Sequence, residues 1–278
     1  QFIASLLPEL PQGAAYMIVS EAGASVYSAS PLGAEEFPDF DVTERSAVSI
    51  ARRLIDPLAE LVKIEPRSIG VGQYQHDMKP QRLDAALGGV VEDCVNSVGV
   101  ELNTASWPLL SYVAGVGAAC AKNIVRYREA HGAFGSREEL KQVPRLSDRV
   151  FEQCAGFLRV SGGQEILDCT GVHPESYAPA RRLLELFGCT EADVRAGRLS
   201  GLCARVSAKG AEAVAEKLGV GTPTLLDICS ELEKPGRDVR DALPPPTLRA
   251  DVLRFEDLRV GMELTGTAVS YTHLRAHE

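Results

Sequence analysis

Apolar residues recur along this chain mostly at helical spacing, and short clusters of glycine and proline interrupt them. In AVSIARRLIDPLAELVKI (47–64), Val48, Ile50, Ala51, Leu54, Leu58, Leu61 and Val62 share one helical face. Pro57 inside this run predicts a kink or break near Asp56. QRLDAALGGVVEDCVNSVGV (81–100) is a second helical stretch, weakened at Gly88-Gly89. Two short runs read instead as strands: Tyr16–Val19, with Glu21 at its C-terminal end, and SIGVGQY, Ser68–Tyr74. Strand, helix, strand and helix in this order predict the end of an α/β domain over residues 1–80.

From Thr104 to Val160 the pattern changes to short helices and tight turns. Ser106 with Pro108 starts one helix, Gly117 opens a second and Gly132 closes it. Ser136-Arg-Glu-Glu139 has the form of a capping box, which predicts a third helix. The turn Val143–Ser147 leads into a fourth, Asp148 to Leu158. An offset of 30 residues superposes Leu110 on Leu140, Val113 on Val143, Val116 on Leu146, Ala121 on Phe151 and Ile124 on Cys154. Two helix-hairpin-helix units in tandem, sharing one core, give that register. This domain is assigned residues 81–160.

SGGQEILDCTGVHPESY (161–177) reads as a linker, and helical spacing returns from 178 to 234. Thr190-Glu-Ala-Asp193 and Thr222-Pro223 mark helix starts there. Residues 161–235 therefore form a further helical domain. Residues 236–256 are a Pro-rich linker. Gly261 and the alternation at Met262, Leu264 and Val269 predict the first strand of a β-barrel over 257–269. The last residues, 270–278, fit nothing before them. His273 and His277 have the spacing of metal ligands on a helix but no further ligand nearby, so no metal is assigned. The fold class is thus mostly α and multidomain, with a partial α/β piece first and the start of a barrel last.

Composition limits the function. No apolar run approaches the ~18 residues of a membrane helix, and the start QFIASLLPELPQG lacks the basic region of a signal peptide. The seven cysteines form no C-x-x-C pair and read as reduced thiols of a cytoplasmic protein. A net charge of −9 argues against polyanion binding by the chain as a whole. The charge is uneven, however. Residues 1–102 carry 7 Lys+Arg against 15 Asp+Glu, residues 161–278 carry 14 against 18, and residues 103–160 carry 8 against 5. The one positive block contains the glycine turn.

That turn has a chemistry. A helix N-terminus offers unpaired N–H groups and about half a positive charge. Where the preceding residues lack side chains, a phosphate can approach the backbone closely. Gly115 and Gly117 supply such a turn, with Val116 between them as an inward anchor, and Lys122, Arg126 and Arg128 follow. The arrangement predicts contact with a nucleic-acid backbone without base reading. In the second unit Arg145 and Ser147 replace the glycines, so Arg145 and Arg149 would touch phosphate by side chain if that unit binds.

VSEAGASVYSAS (19–30), SIARRLIDPLAELVKI (49–64), SIGVGQYQHDM (68–78), VVEDCVNSVGVELNTAS (90–106), FEQCAGFLRVSGG (151–163), LEKPGRD (232–238) and LRVGMELTGTAV (258–269) together resemble the bacterial Tex family of transcription accessory proteins. The resemblance covers residues 1–269. It implies the C-terminal part of a YqgF-type, RNase H-like domain, then tandem helix-hairpin-helix units, a further helical hairpin domain and the first strand of an OB-fold RNA-binding domain. It implies a cytoplasmic protein that binds RNA or DNA and works with the transcription machinery, with no cofactor. Such proteins look like bacterial relatives of a eukaryotic transcription elongation factor.

The resemblance also raises a competing reading as a metal-dependent nuclease. RNase H-like enzymes hold two metal ions with several carboxylates. Glu21 resembles the second of these, and Asp77, beside His76, is a weaker candidate for a later one. The first-strand acid would lie upstream of Gln1, so this chain is expected to bind and not to cleave. A protein-interaction scaffold, using the acidic flanks, is the third reading.

Overall fold

The computed structural model describes residues 17–70, 75–233 and 260–261. The chain divides into two compact units. In one of them, Gln1–Ser20 with Leu243–Glu278, only residues 17–20 and the turn at 260–261 are described. The other, Glu21–Ala242, is mostly helical and multidomain, as the sequence predicts.

It opens with four helices: α1 (Ala24–Ser28), α2 (Pro31–Glu36), α3 (Val42–Ile55) and α4 (Pro57–Leu61). Asp41 starts α3 by accepting from the amides of Thr43 and Glu44 at 2.7 and 2.9 Å, and the Glu44 carboxylate accepts from the Asp41 amide at 2.9 Å. The expected break falls at Asp56. Pro57 cannot continue the ladder, and Asp56 caps the new helix by accepting from the Ala59 amide at 3.0 Å.

The described residues of the two strands predicted for this region form no strand. Met17–Val19 have no strand partner among the described residues, and Ser68 and Ile69 lie in a 3-10 turn, Pro66–Ile69, started by its proline. Tyr16 and residues 71–74 lie outside the described residues. A strand needs a neighbour to satisfy its backbone groups, which periodicity cannot supply. A 3-10 turn at Gln75–Asp77 leads to α5 (Pro80–Val98), which runs unbroken through Gly88-Gly89. Seventeen other residues sustain that ladder against about 1 kcal/mol per glycine.

The tandem domain follows as β1 (Val100–Glu101), α6 (Trp107–Leu110), α7 (Ala118–His131), a 3-10 helix at Arg137–Gln142, α8 (Asp148–Cys154) and β2 (Leu158–Arg159). The strands pair in parallel, Val100 with Leu158 and Glu101 with Arg159. All ten residues matched by the 30-residue offset are buried in one hydrophobic core. Two local expectations fail. Ser136 does not cap; the Glu139 carboxylate accepts from the Gly135 amide at 3.0 Å, and the Arg137 amide donates to Asp168 at 2.7 Å. The fourth helix ends at Cys154 rather than Leu158, because Leu158 pairs with β1.

A second core lies in the following domain, built from α9 (Tyr177–Leu186), α10 (Glu191–Arg195), α11 (Leu202–Lys209), α12 (Ala211–Leu218) and α13 (Thr222–Glu233). Thr190 starts α10 as expected, and it forms a capping box with Asp193. Residues 161–177 are no loose linker. They form 3-10 turns at Ile166–Cys169 and Pro174–Ser176, and Leu167, Asp168, Thr170 and Val172 are buried. The Pro-rich linker at 236–256, the barrel strand (but for its turn at 260–261) and His273 and His277 lie outside the described residues.

The seven cysteines are free thiols. Burial pushes Cys154 up to about 12, with Cys120 nearby adding to it, and burial with Cys203 beside it does the same for Cys229. Only the thiolate reacts, and at pH 8 a thiol of this kind is ionised about once in ten thousand. Alkylation of the native chain at pH 8, followed by peptide mass spectrometry, should label exposed Cys94 early and Cys154 and Cys229 only after denaturant. Early labelling of Cys154 would contradict the packing.

Candidate nucleic-acid interface

The first turn links α6 to α7. Val113 N donates to Leu110 O at 3.1 Å, Val116 N to Val113 O at 2.9 Å and Ala121 N to Gly117 O at 2.9 Å. Val116 is buried and anchors the turn to the core. Gly115 has φ +79°, and a Cβ there would lie 2.8 Å from Gln153 Cβ. Gly115→Ala should therefore cost roughly 1–3 kcal/mol of stability, read as a fall in urea midpoint. An unchanged midpoint would show that the turn can relax.

Gly117 is different. Its φ of −78° and ψ of 164° suit any residue at an N-cap. An added Cβ would meet nothing within 4 Å. The missing side chain leaves open space over the start of α7, where Ala118 and Ala119 are small and exposed and no acid occupies the first turn. The free amides and the positive end of a 14-residue helix thus face solvent uncovered.

Lys122 is exposed, its ammonium 4.3 Å from the Trp107 ring centre. Arg126 is exposed and makes no hydrogen bond or ion pair among the described residues. Arg128 has a different role from the one expected. Its guanidinium donates to Leu102 O at 2.8 Å and Ala105 O at 3.1 Å, and burial lowers its pKa. It ties α7 back to the segment after β1. Helical geometry explains the difference. Lys122 and Arg126 lie about 40° apart around the axis, whereas Arg128 is about 120° from Lys122.

The second turn repeats the first bond for bond. Val143 N donates to Leu140 O at 3.0 Å, Leu146 N to Val143 O at 3.2 Å and Phe151 N to Ser147 O at 2.9 Å. Ser147, with φ −81° and ψ 161°, matches Gly117 and caps Val150 N at 3.4 Å. Arg145 and Arg149 are exposed, with no hydrogen bond or ion pair among the described residues.

The two acids of the nuclease reading lie elsewhere. Glu21 is exposed, and its carbonyl accepts from Ala24 N at 2.9 Å at the start of α1. Asp77 is exposed in the turn Gln75–Asp77. Among the described residues no three His, Cys, Asp or Glu side chains are grouped to hold a metal ion.

One buried cluster has no mark in the sequence. Arg137 is 1 % exposed. Its guanidinium donates to Leu158 O at 2.7 Å, to Val172 O and the Tyr177 hydroxyl at 2.8 Å, and to Thr170 O. Tyr177 in turn donates to Asp168 Oδ1 at 2.5 Å. Because these partners lie 21 to 40 residues away, no local pattern could have announced them. The cluster joins the tandem domain to the helical domain after it.

Two short helical pairs, each joined by a tight turn and packed on one core, define a tandem helix-hairpin-helix protein. Accordingly, residues 95–159 match the helix-hairpin-helix motif model and residues 165–240 an HHH domain model. Residues 1–55 match the YqgF-like domain of the Tex protein. The chain is 52% identical over 261 residues to transcriptional accessory protein Tex of Neisseria gonorrhoeae, a match covering 94% of this chain and 34% of that one. It is 52% identical over 260 residues to protein YhgF of Escherichia coli, covering 94% and 33%. It is 39% identical over 312 residues to S1 RNA-binding domain-containing protein 1 of Homo sapiens, covering 94% and 31%. The chain belongs to the Tex family. It spans about a third of the length of the curated relatives it matches. No helix among the described residues is long and apolar enough to cross a membrane.

Proposed function

We propose that this chain binds the sugar–phosphate backbone of nucleic acid through the turn at Gly115–Gly117. One observation carries the reading: the N-terminus of α7 is uncovered at Gly117, with two exposed cations, Lys122 and Arg126, on the helix it opens. A phosphate there gains amide hydrogen bonds and the helix dipole together, and the contact carries no base information. The helix-hairpin-helix matches support the same reading, as does the name of the human relative, which specifies RNA binding. The name of the Neisseria relative, transcriptional accessory protein, supports a role in transcription, and we place that role beside the transcription machinery in the cytoplasm.

The proposed activity is binding without cleavage. Magnesium-dependent degradation of labelled RNA or DNA that disappears in Glu21→Ala would overturn that part. The binding itself is tested by fluorescence anisotropy with labelled single- and double-stranded DNA and RNA across a salt series. Affinity should fall with salt at a slope equivalent to a few phosphates. If nothing binds at low salt, the turn serves packing alone.

A further inference from the structure

A cavity of about 600 Å³ lies among α3, α4, β1, the start of α6 and β2. That volume is in the range of small-molecule sites. Leu58 and Leu109 give the wall apolar surface, and four carboxylates line it as well. Each carboxylate already has a partner. Glu36 and Glu60 share the Lys63 ammonium at 2.9 Å each, and Asp56 accepts from the Ala59 amide at 3.0 Å. Glu101 accepts from the Ser161 amide at 3.0 Å and its hydroxyl at 2.6 Å.

Arg159, on the same wall, is different. Its Nη1 donates to Gly156 O at 2.7 Å and Leu158 O at 3.4 Å. Nε and Nη2, the two donors along one edge of the fork, make no hydrogen bond or ion pair among the described residues. Two glycines make room for the group. A Cβ at Gly99 would lie 3.0 Å from both Cζ and Nη2, and one at Gly171 would lie 3.1 Å from Nη2. Burial, with Arg137 nearby, lowers its pKa to about 10, so it stays charged at neutral pH. Two other polar atoms of the wall residues, Ser106 Oγ and Glu60 Oε1, are buried without a hydrogen bond, and Glu60 is 3 % exposed. Such atoms cost stability until something meets them.

We propose that this cavity binds a nucleoside monophosphate, independently of the turn at Gly117. The Nε–Nη2 edge of Arg159 matches a phosphate with two parallel hydrogen bonds. Glu60 Oε1 accepts from a sugar hydroxyl or a base amino group, and Ser106 Oγ bonds whichever polar atom lies beside it. An amino acid carries an anion and donors too, but it would leave much of the cavity empty.

The test is calorimetric titration of the chain with AMP, GMP, CMP, UMP, inorganic phosphate and glutamate. At least one nucleotide should bind with a Kd below about 1 mM, roughly tenfold tighter than phosphate or glutamate. Arg159→Lys keeps the charge but not the fork, and its nucleotide affinity should fall about tenfold or more. Thr104 is an exposed residue of the wall, so Thr104→Trp should obstruct the cavity and spare the core. Both variants should keep the parent's affinity for DNA and RNA in anisotropy. The proposal is overturned if no nucleotide binds better than phosphate, if glutamate binds tightest, or if a folded Arg159→Lys binds nucleotide as the parent does. Nucleic-acid affinity that falls in step with nucleotide affinity overturns it as well, since Arg159 would then hold a phosphate of the polymer. Should Arg159→Lys melt early, Thr104→Trp decides, and unchanged nucleotide binding there overturns the proposal.

Discussion

Gly117→Asp is expected to lower nucleic-acid affinity roughly ten- to a hundredfold while the chain keeps its fold. The new carboxylate would stand at the N-cap of α7, in the open space where the backbone is proposed to meet a phosphate. It would repel the anion and accept the very amide hydrogen bonds the anion uses. Each charge-assisted hydrogen bond lost costs about 1.5–3 kcal/mol. The same substitution suits the helix, since Asp is a preferred N-cap and Gly117 already has the backbone conformation that an N-cap requires. Binding and stability should therefore separate, with affinity falling and the thermal midpoint unchanged or slightly higher. Anisotropy titration beside circular-dichroism melting checks both. A variant that melts early would show that Gly117 is needed for packing, contrary to the structure.

Arg137→Met should destabilise the chain by about 3–5 kcal/mol, because it leaves Asp168 as a buried charge without its partner. The carbonyls of Leu158, Thr170 and Val172 lose a donor as well. In a domain of this size each kcal/mol is worth about 2–4 °C of midpoint, so the loss is large in a thermal melt. Asp168→Asn should cost less, since the Arg137 guanidinium keeps its carbonyl partners and the one amide oxygen still accepts from either Tyr177 or the Arg137 amide, which use separate carboxylate oxygens in the parent. A shift for Arg137→Met under about 2 °C would mean that water replaces the guanidinium freely. Because the bonds run from the tandem domain into the next, urea unfolding of Arg137→Met should also become less cooperative.

The helices of this chain were legible wherever their signals were local. The break at Asp56 and the starts at Gly117 and Thr190 depend on residues within four positions of each other. The tandem repeat was legible too, because its core positions recur at one offset. What failed was whatever depends on distant partners. Tyr16–Val19 and Ser68–Tyr74 have the composition of strands, but their described residues pair with nothing. The Ser136 box was displaced because Arg137 is drawn to Asp168 and Glu139 to Gly135. In the candidate interface, the exposure of Lys122 and Arg126 followed from their spacing. The inward turn of Arg128 could have been read from the same helical wheel. The left-handed backbone of Arg145, at φ +67°, could not, because nothing in the sequence forces an arginine to adopt a glycine's backbone.

The parallel pair β1–β2 bears on the order in which this domain assembles. Its partners lie roughly sixty residues apart, and only two residue pairs hold them. Closing so long a loop for so few bonds is unfavourable until the chain between is already compact. The two hairpins, whose contacts are local, must come first, and the strands close behind them like a clasp. The amides of Val100 and Leu102, which donate to Phe157 O and Arg159 O, thus gain protection late in refolding and lose it early in unfolding. They record when the tandem has become one body.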